Sequence, residues 1–230
     1  MSRLLFLALS MIIVPSSLPA QVRADAPIDT AVYAVSYLEV MPSSREMAVA
    51  AYKRYREMSG KDAGYVRFDL FEQISRPGHF VIAEIWKDQN TFEAHGAAAH
   101  TKEFLSKLEP IRWSDYDQRS YKGHAVGPAP AAADSRAIYV VTHVDFIGQQ
   151  ATAPALLTRL AEESRKSEGS VRFDVLQQIG RPNHYTIIEI WQTQKALDAH
   201  AGAAHTRQYR ETFHSMSGSP LDERLYKLVG

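Results

Sequence analysis

Cysteine is absent from this chain of 230 residues. Its absence excludes disulfides, thiolate metal sites, iron–sulfur clusters and a cysteine nucleophile. An excess of either charge is also missing, because 26 Lys and Arg balance 26 Asp and Glu. Without a net field, nothing steers the chain toward nucleic acid or an anionic membrane surface. Long apolar runs are missing too, apart from one near the N-terminus. What remains, 45% hydrophobic and 23% charged residues, is ordinary globular composition and excludes disordered and collagen-like chains.

The single apolar run covers residues 4–14, between Met1-Ser2-Arg3 and the breaker Pro15-Ser16-Ser17. It is about half the length that a bilayer-spanning helix needs. A basic start, a short apolar stretch and small residues at Ala20, Ala24 and Ala26 form the three regions of a secretory signal. Residues 1–24 are read as that signal, with Val22 and Ala24 at the −3 and −1 positions. Ala20 and Ala26 are alternative cleavage points. Its removal leaves 24 basic and 26 acidic residues. The mature protein is expected to be secreted or periplasmic, without stable membrane insertion.

The rest of the chain says the same thing twice. Gly64-Tyr65-Val66-Arg67-Phe68-Asp69 recurs 105 positions later as Gly169-Ser170-Val171-Arg172-Phe173-Asp174. From Gly64 to Lys122, 26 of 59 positions match their counterparts up to Lys227. Upstream, one insertion aligns Tyr33-Ala34-Val35 with Tyr139-Val140-Val141. This is a tandem duplication of one structural unit. The units are residues 30–123 and 137–230, and the Ala-, Pro- and Gly-rich stretch 124–136 is their linker.

Each unit shows one order of elements. Residues 31–40 are β-branched and aromatic, as a strand should be. Ser43-Ser44-Arg45-Glu46 has the form of a capping box, and Ala48, Ala51, Tyr52 and Tyr55 follow at helical spacing. Residues 66–73 alternate as a half-buried strand, and 79–86 return after the turn Arg76-Pro77-Gly78. Helical pieces begin at Asn90 and His100, and residues 116–124 form a last strand. The second unit repeats this at 137–146, 152–166, 170–178, 184–191, 195–212 and 221–228, the fifth segment as one helix. The pattern β-α-β-β-α-β is ferredoxin-like, α+β, with helices on one sheet face only. The bare face needs cover. The second unit can supply it, closing two sheets into an intramolecular pseudo-dimeric α+β barrel.

Glu84-Ile85-Trp86, followed by His95 and by His100-Thr101, resembles the antibiotic biosynthesis monooxygenase family, as does Glu189-Ile190-Trp191 with His200 and His205-Thr206. The Gly-x-x-Arg-Phe-Asp strand is similar to a subgroup containing quinol monooxygenases and an isomerase that degrades autoinducer-2. The resemblance implies a small α+β barrel. It also implies a reaction of molecular oxygen with a small phenolic substrate that uses no flavin, haem or metal. A deprotonated, electron-rich phenol can reduce oxygen unaided, so the protein supplies a dry pocket, a base and orientation. Anthrone-oxidising relatives carry a polar residue four places before the tryptophan and a tyrosine six after it. Here those places hold Ile82 and Phe92, and Ile187 and Leu197. Haem-degrading relatives use an asparagine on the first strand, which neither unit has.

The candidate catalytic residues are His95, His200, Glu84 and Glu189. The histidines stand five before His100 and His205, about 140° off a common face of one helix, so a bend near Gly96 is needed to join the first pair. Glu84 and Glu189 share a strand face with a tryptophan. Each is either a general base of raised pKa or the partner of Arg67, Arg172, Arg119 or Arg224 in an ion pair. The candidate substrate-binding residues are Trp86, Trp191, His100, His205, Arg67, Arg172, Tyr121 and Tyr226. Each also has a plain structural reading: core packing for the aromatic residues, an ion pair or a bridge between the sheets for the arginines, and a helix-end hydrogen bond to backbone for the histidines. No metal is expected, because no motif with two histidines and one carboxylate at ligand spacing is visible.

Three functions compete: an exported, cofactor-independent monooxygenase of a quinol or related phenol, an isomerase of a small oxygenated metabolite, and a non-catalytic small-molecule-binding module. The partners foreseen are a small substrate and O2, with no nucleic acid. The pseudo-dimer within the chain leaves a further homodimer open. If the export reading holds, N-terminal sequencing of the protein recovered from outside the cytoplasm reads Asp25 first. A chain that keeps residues 1–24 refutes it.

Overall fold

The computed structural model describes residues 30–128, 136–148 and 151–229. The proposed signal and most of the linker lie outside the described residues. The first unit runs β1 (Val32–Glu39), α1 (Arg45–Ser59), β2 (Tyr65–Gln73), β3 (His79–Trp86), α2 (Gln89–Ala97), α3 (Ala99–Leu108) and β4 (Asp117–Ala125). The second runs β5 (Ile138–Asp145), α4 (Ala153–Arg165), β6 (Ser170–Gln178), β7 (His184–Trp191), α5 (Gln194–Ala201), α6 (Ala204–His214) and β8 (Asp222–Leu228).

The strands form one closed antiparallel barrel in the order β1-β3-β2-β8-β5-β7-β6-β4. Each unit contributes a four-stranded sheet, β4-β1-β3-β2 or β8-β5-β7-β6. The last strand of each unit zips onto the second strand of the other, Phe71 opposite Leu228 and Tyr121 opposite Gln178. Neither sheet keeps a free edge, which removes a template for aggregation. β4 continues to Ala125, inside the stretch read as linker, because Gly123 and Ala125 pair with Leu176 and Val175 of the other unit.

Alternation along the strands sorts the side chains. On β3, Phe80, Ile82 and Trp86 face the helices, and Val81 and Ala83 face the barrel interior. The interior is filled by residues of both units, among them Tyr33, Val35, Phe71, Tyr121, Tyr139, Leu176, Ile188 and Tyr226. Phe71 packs on Tyr139 with ring centroids 4.5 Å apart, a contact across the units. Two further cores lie between each sheet and its own helices. Among the described residues, no helix is long and apolar enough to cross a membrane.

Two local readings are corrected. The capping box at Ser43 does not form, because a 3-10 turn over Pro42–Ser44 precedes α1 and Ser44 makes no side-chain cap. Arg45 instead pairs with Glu46 and Glu72. A true capping box opens α2, between Asp88 and Thr91. The helical segment 195–212 is two helices, broken at Ala203, whose ψ of 150° is extended.

The interior core predicts cooperativity. Phe71→Ala empties a fully buried site shared by both units and should cost about 3–5 kcal/mol. Urea unfolding of the variant should still show a single transition by tryptophan fluorescence and circular dichroism. Separate unfolding of the two halves would contradict a shared core.

Candidate active site

A glycine fixes the geometry of each site. Gly64 and Gly169 stand just before β2 and β6 at φ of 80° and 77°, in the left-handed region that favours glycine. A Cβ there would sit 2.5 Å from Thr91 or 2.6 Å from Ala196, so α2 and α5 can lie directly over the strand. Each helix then ends, and one extended residue, Ala98 or Ala203, turns the chain into the next. The break lies at Ala98 rather than Gly96. It brings His95 within 5.4 Å of His100 and His200 within 5.3 Å of His205, between ring centroids.

The same core motif is built in both units. Trp86 stacks on His95 at 4.2 Å and Trp191 on His200 at 4.5 Å. Trp86 Nε1 donates to Glu84 Oε2 at 2.9 Å, and Trp191 Nε1 donates to Glu189 Oε2 at 2.8 Å. The histidine Nε2 lies 3.9 Å from Glu84 Oε2 in the first unit and 3.8 Å from Glu189 Oε2 in the second. Both glutamates are buried among apolar side chains. Burial, opposed only partly by the indole hydrogen bond, pushes Glu84 up to about 7 and Glu189 up to about 8. Burial also pulls His200 down to about 4, helped by nearby His205. His95 is lowered by burial in the same way, against the opposing pull of Asp62.

The ion-pair reading of the glutamates is overturned. The arginines pair along their own strands instead: Arg67 with Asp69, Arg172 with Asp174, Arg119 with Asp117 and Arg224 with Asp222. Arg67 and Arg172 share a strand parity with the interior residues Phe71 and Leu176, and Tyr121 and Tyr226 belong to the interior core. Arg67 and Tyr121 therefore lie across their sheet from Glu84, Trp86 and His95, and Arg172 and Tyr226 across theirs from Glu189, Trp191 and His200. The structure joins Glu84, Trp86, His95 and His100 into one cluster, and Glu189, Trp191, His200 and His205 into another.

The paired barrel, the strand Glu-x-Trp and the histidine stacked on that tryptophan now stand together in both units. The family model described as "Antibiotic biosynthesis monooxygenase" matches residues 31–107 and 146–212, more than half of the chain. This chain belongs to that family. The Bacillus subtilis (strain 168) protein named "Putative monooxygenase YcnE" is 31% identical over 72 residues, covering 31% of this chain and 76% of its own length. A Fusobacterium nucleatum crystal structure, also named a "Putative monooxygenase", superposes with a TM-score of 0.78 at 14% identity, covering 87% of this chain and 93% of that one. An "anthrone oxidase-like protein" superposes at 0.70 with 12% identity, covering 90% and 93%. At such identities the structural likeness speaks for the fold alone. In both of those structures, nearly the whole chain corresponds to the paired monooxygenase units found here.

The two monooxygenase units have diverged around this shared motif. Tyr55 of α1 places its hydroxyl 2.7 Å from His95 Nε2, and Asp62 Oδ2 lies 2.8 Å from His95 Nδ1. At a shift of 105, their counterparts are Leu160 and Ser167. Ser59 and Ser164 support this alignment, each donating to the carbonyl four residues back. Without the tyrosine, the second unit keeps a cavity of about 30 Å³ whose lining includes Leu160, Glu189, His200, Tyr209, Arg210 and Glu223. That volume holds one or two waters. Asp62, Arg210 and Glu223 were not singled out in the sequence, although comparing the repeats would have flagged Asp62 against Ser167.

Burying Glu189 carries a pH-dependent cost. A carboxyl with a folded pKa of about 8 and an unfolded one near 4.5 costs nothing below pH 4.5, where both states are protonated. Between those values only the unfolded chain ionises, so stability falls as pH rises, by an amount of order 3 kcal/mol at pH 7. Glu189→Gln should therefore raise Tm at pH 8 more than at pH 4.5. An equal shift at both values would place Glu189 outside a raised-pKa environment.

Proposed function

We propose that this chain is an exported monooxygenase that oxidises a quinol or a related small phenol with O2 and needs no organic cofactor. The observation that carries this reading is the buried Glu189 carboxyl, held by Trp191 and lining one cavity with His200, with its pKa raised to about 8. A general base works best when its pKa lies near the working pH, and an unpaired buried carboxylate can take a phenolic proton without breaking an ion pair.

The resulting phenolate passes an electron to O2, and recombination gives a peroxide on a ring carbon that bears hydrogen. Loss of water from that peroxide leaves a carbonyl. One oxygen atom stays in the product, and the other leaves in the water with two hydrogens of the substrate. Leu160, Phe173 and Ile187 offer apolar walls that keep bulk water away. The Arg210–Glu223 pair, with side chains 43% and 35% exposed, is the part of the lining that can move to admit a ring, because such surface pairs are weak. No specific observation favours the isomerase, since Arg172 and Asp174, which suggested it, are paired with each other on the barrel side of the sheet.

Oxygen uptake with a reduced naphthoquinone tests the proposal. Activity should rise with pH through about 8. It should fall about 10²–10⁴-fold in Glu189→Gln. Unchanged uptake in that variant removes the glutamate from the mechanism. Absence of uptake across a panel of quinols, with tight ligand binding, makes the protein a binding module. Conversion of a hydroxyketone without oxygen makes it an isomerase.

A further inference from the structure

Asp62, His95 and His100 of the first unit stand together although no motif links them in sequence. Their ligand atoms all lie within 4.8 Å of one another. Asp62 Oδ2 is 2.8 Å from His95 Nδ1 and 3.1 Å from His100 Nε2. Neighbouring oxygen and nitrogen ligands of a transition-metal ion, each bound at about 2.0–2.2 Å, lie roughly 3 Å apart. His100 Nε2 has no accessible surface, and although Asp62 Oδ2 lies 3.1 Å away, the geometry between them makes no hydrogen bond. A buried imidazole nitrogen beside a carboxylate but without a directed bond to it is suited to sharing a cation with that carboxylate.

We propose that Asp62, His95 and His100 bind one divalent transition-metal ion, zinc or a similar borderline cation, in the first unit only. Two imidazoles and one carboxylate suit zinc, cobalt, nickel or ferrous iron. Magnesium and calcium prefer all-oxygen sites. The outer contacts fit as well. A metal on His95 Nδ1 requires the proton on Nε2, and the Tyr55 hydroxyl, 2.7 Å from Nε2, can accept that proton as readily as it can donate. The Thr101 hydroxyl donates to the His95 carbonyl at 2.7 Å and fixes the helix break that presents both rings. Access is open from the Asp62 side, where the side chain is 24% exposed.

The second unit is an internal control. His200 and His205 sit as His95 and His100 do, but Ser167 replaces the carboxylate. Both loops run alike, since the Asp62 and Ser167 carbonyls each accept from the residue that opens the next strand. Duplication therefore left a site with three ligands on one side and two histidines on the other. This arrangement does not depend on the oxidation chemistry assigned to Glu189.

The test is zinc titration of the untagged, chelator-stripped full chain in competition with a chromophoric chelator, with cobalt as a spectroscopic substitute. One equivalent per chain should bind with a Kd in the micromolar range or below, and cobalt should give visible ligand-field bands. Tyr55→Phe should weaken binding about tenfold, as loss of an outer-shell partner does. Asp62→Asn and His100→Gln should each weaken it more than Tyr55→Phe does, with circular dichroism confirming the fold. His205→Gln should leave the stoichiometry at one. Failure of the wild-type chain to bind zinc below millimolar concentration overturns the proposal. Binding by Asp62→Asn as tight as wild type does so equally.

Discussion

A four-stranded sheet with helices on one face leaves an apolar face open to water, and this molecule is organised around covering it. Tyr33, Val35, Phe71 and Tyr121 of one unit meet Tyr139, Leu176, Ile188 and Tyr226 of the other inside the closed barrel. A unit of this size buries a smaller fraction of its surface alone than the joined pair does, and no disulfide compensates for it here. Joining the units on one chain makes their pairing intramolecular, so barrel closure does not depend on protein concentration. The seam strands β4 and β8 are the last elements of their units, and each is held by the other unit's sheet.

Closure of the barrel frees the opposite face of each sheet for chemistry. Glu84 and Glu189 are carried between strand and helix, where apolar packing buries them, and among the described residues neither forms an ion pair with an arginine. The fold thus holds two carboxyls that titrate far above the usual range, each oriented by an indole donor. A structural role alone would be better served by an apolar residue, because a buried, unpaired carboxyl lowers stability at neutral pH.

Duplication also permitted divergence. In the first unit Tyr55 and Asp62 close around His95 and leave three metal-ligand atoms together. In the second, Leu160 and Ser167 leave His200 beside an open cavity. One barrel can therefore carry two sites with different chemistry, which an obligate homodimer of identical units cannot do.

The sequence by itself determined much of this. The 105-residue offset, the order β-α-β-β-α-β and the two Glu-x-Trp strands were legible because repeats, strand alternation and local motifs are properties of neighbouring residues. It could also say that the second unit would cover the first, since a bare apolar face has few other solutions. Only the tertiary structure decided which candidates meet. Arg67, Arg172, Tyr121 and Tyr226 carry polar groups suited to a substrate, yet strand parity turns them into the barrel, away from the glutamates. The extended residue at Ala98 carries no signal of its own, yet it brings His95 and His100 together and sets both beside Asp62. Contacts between segments that are distant along the chain depend on how whole elements pack, and a single sequence holds no local pattern that records them.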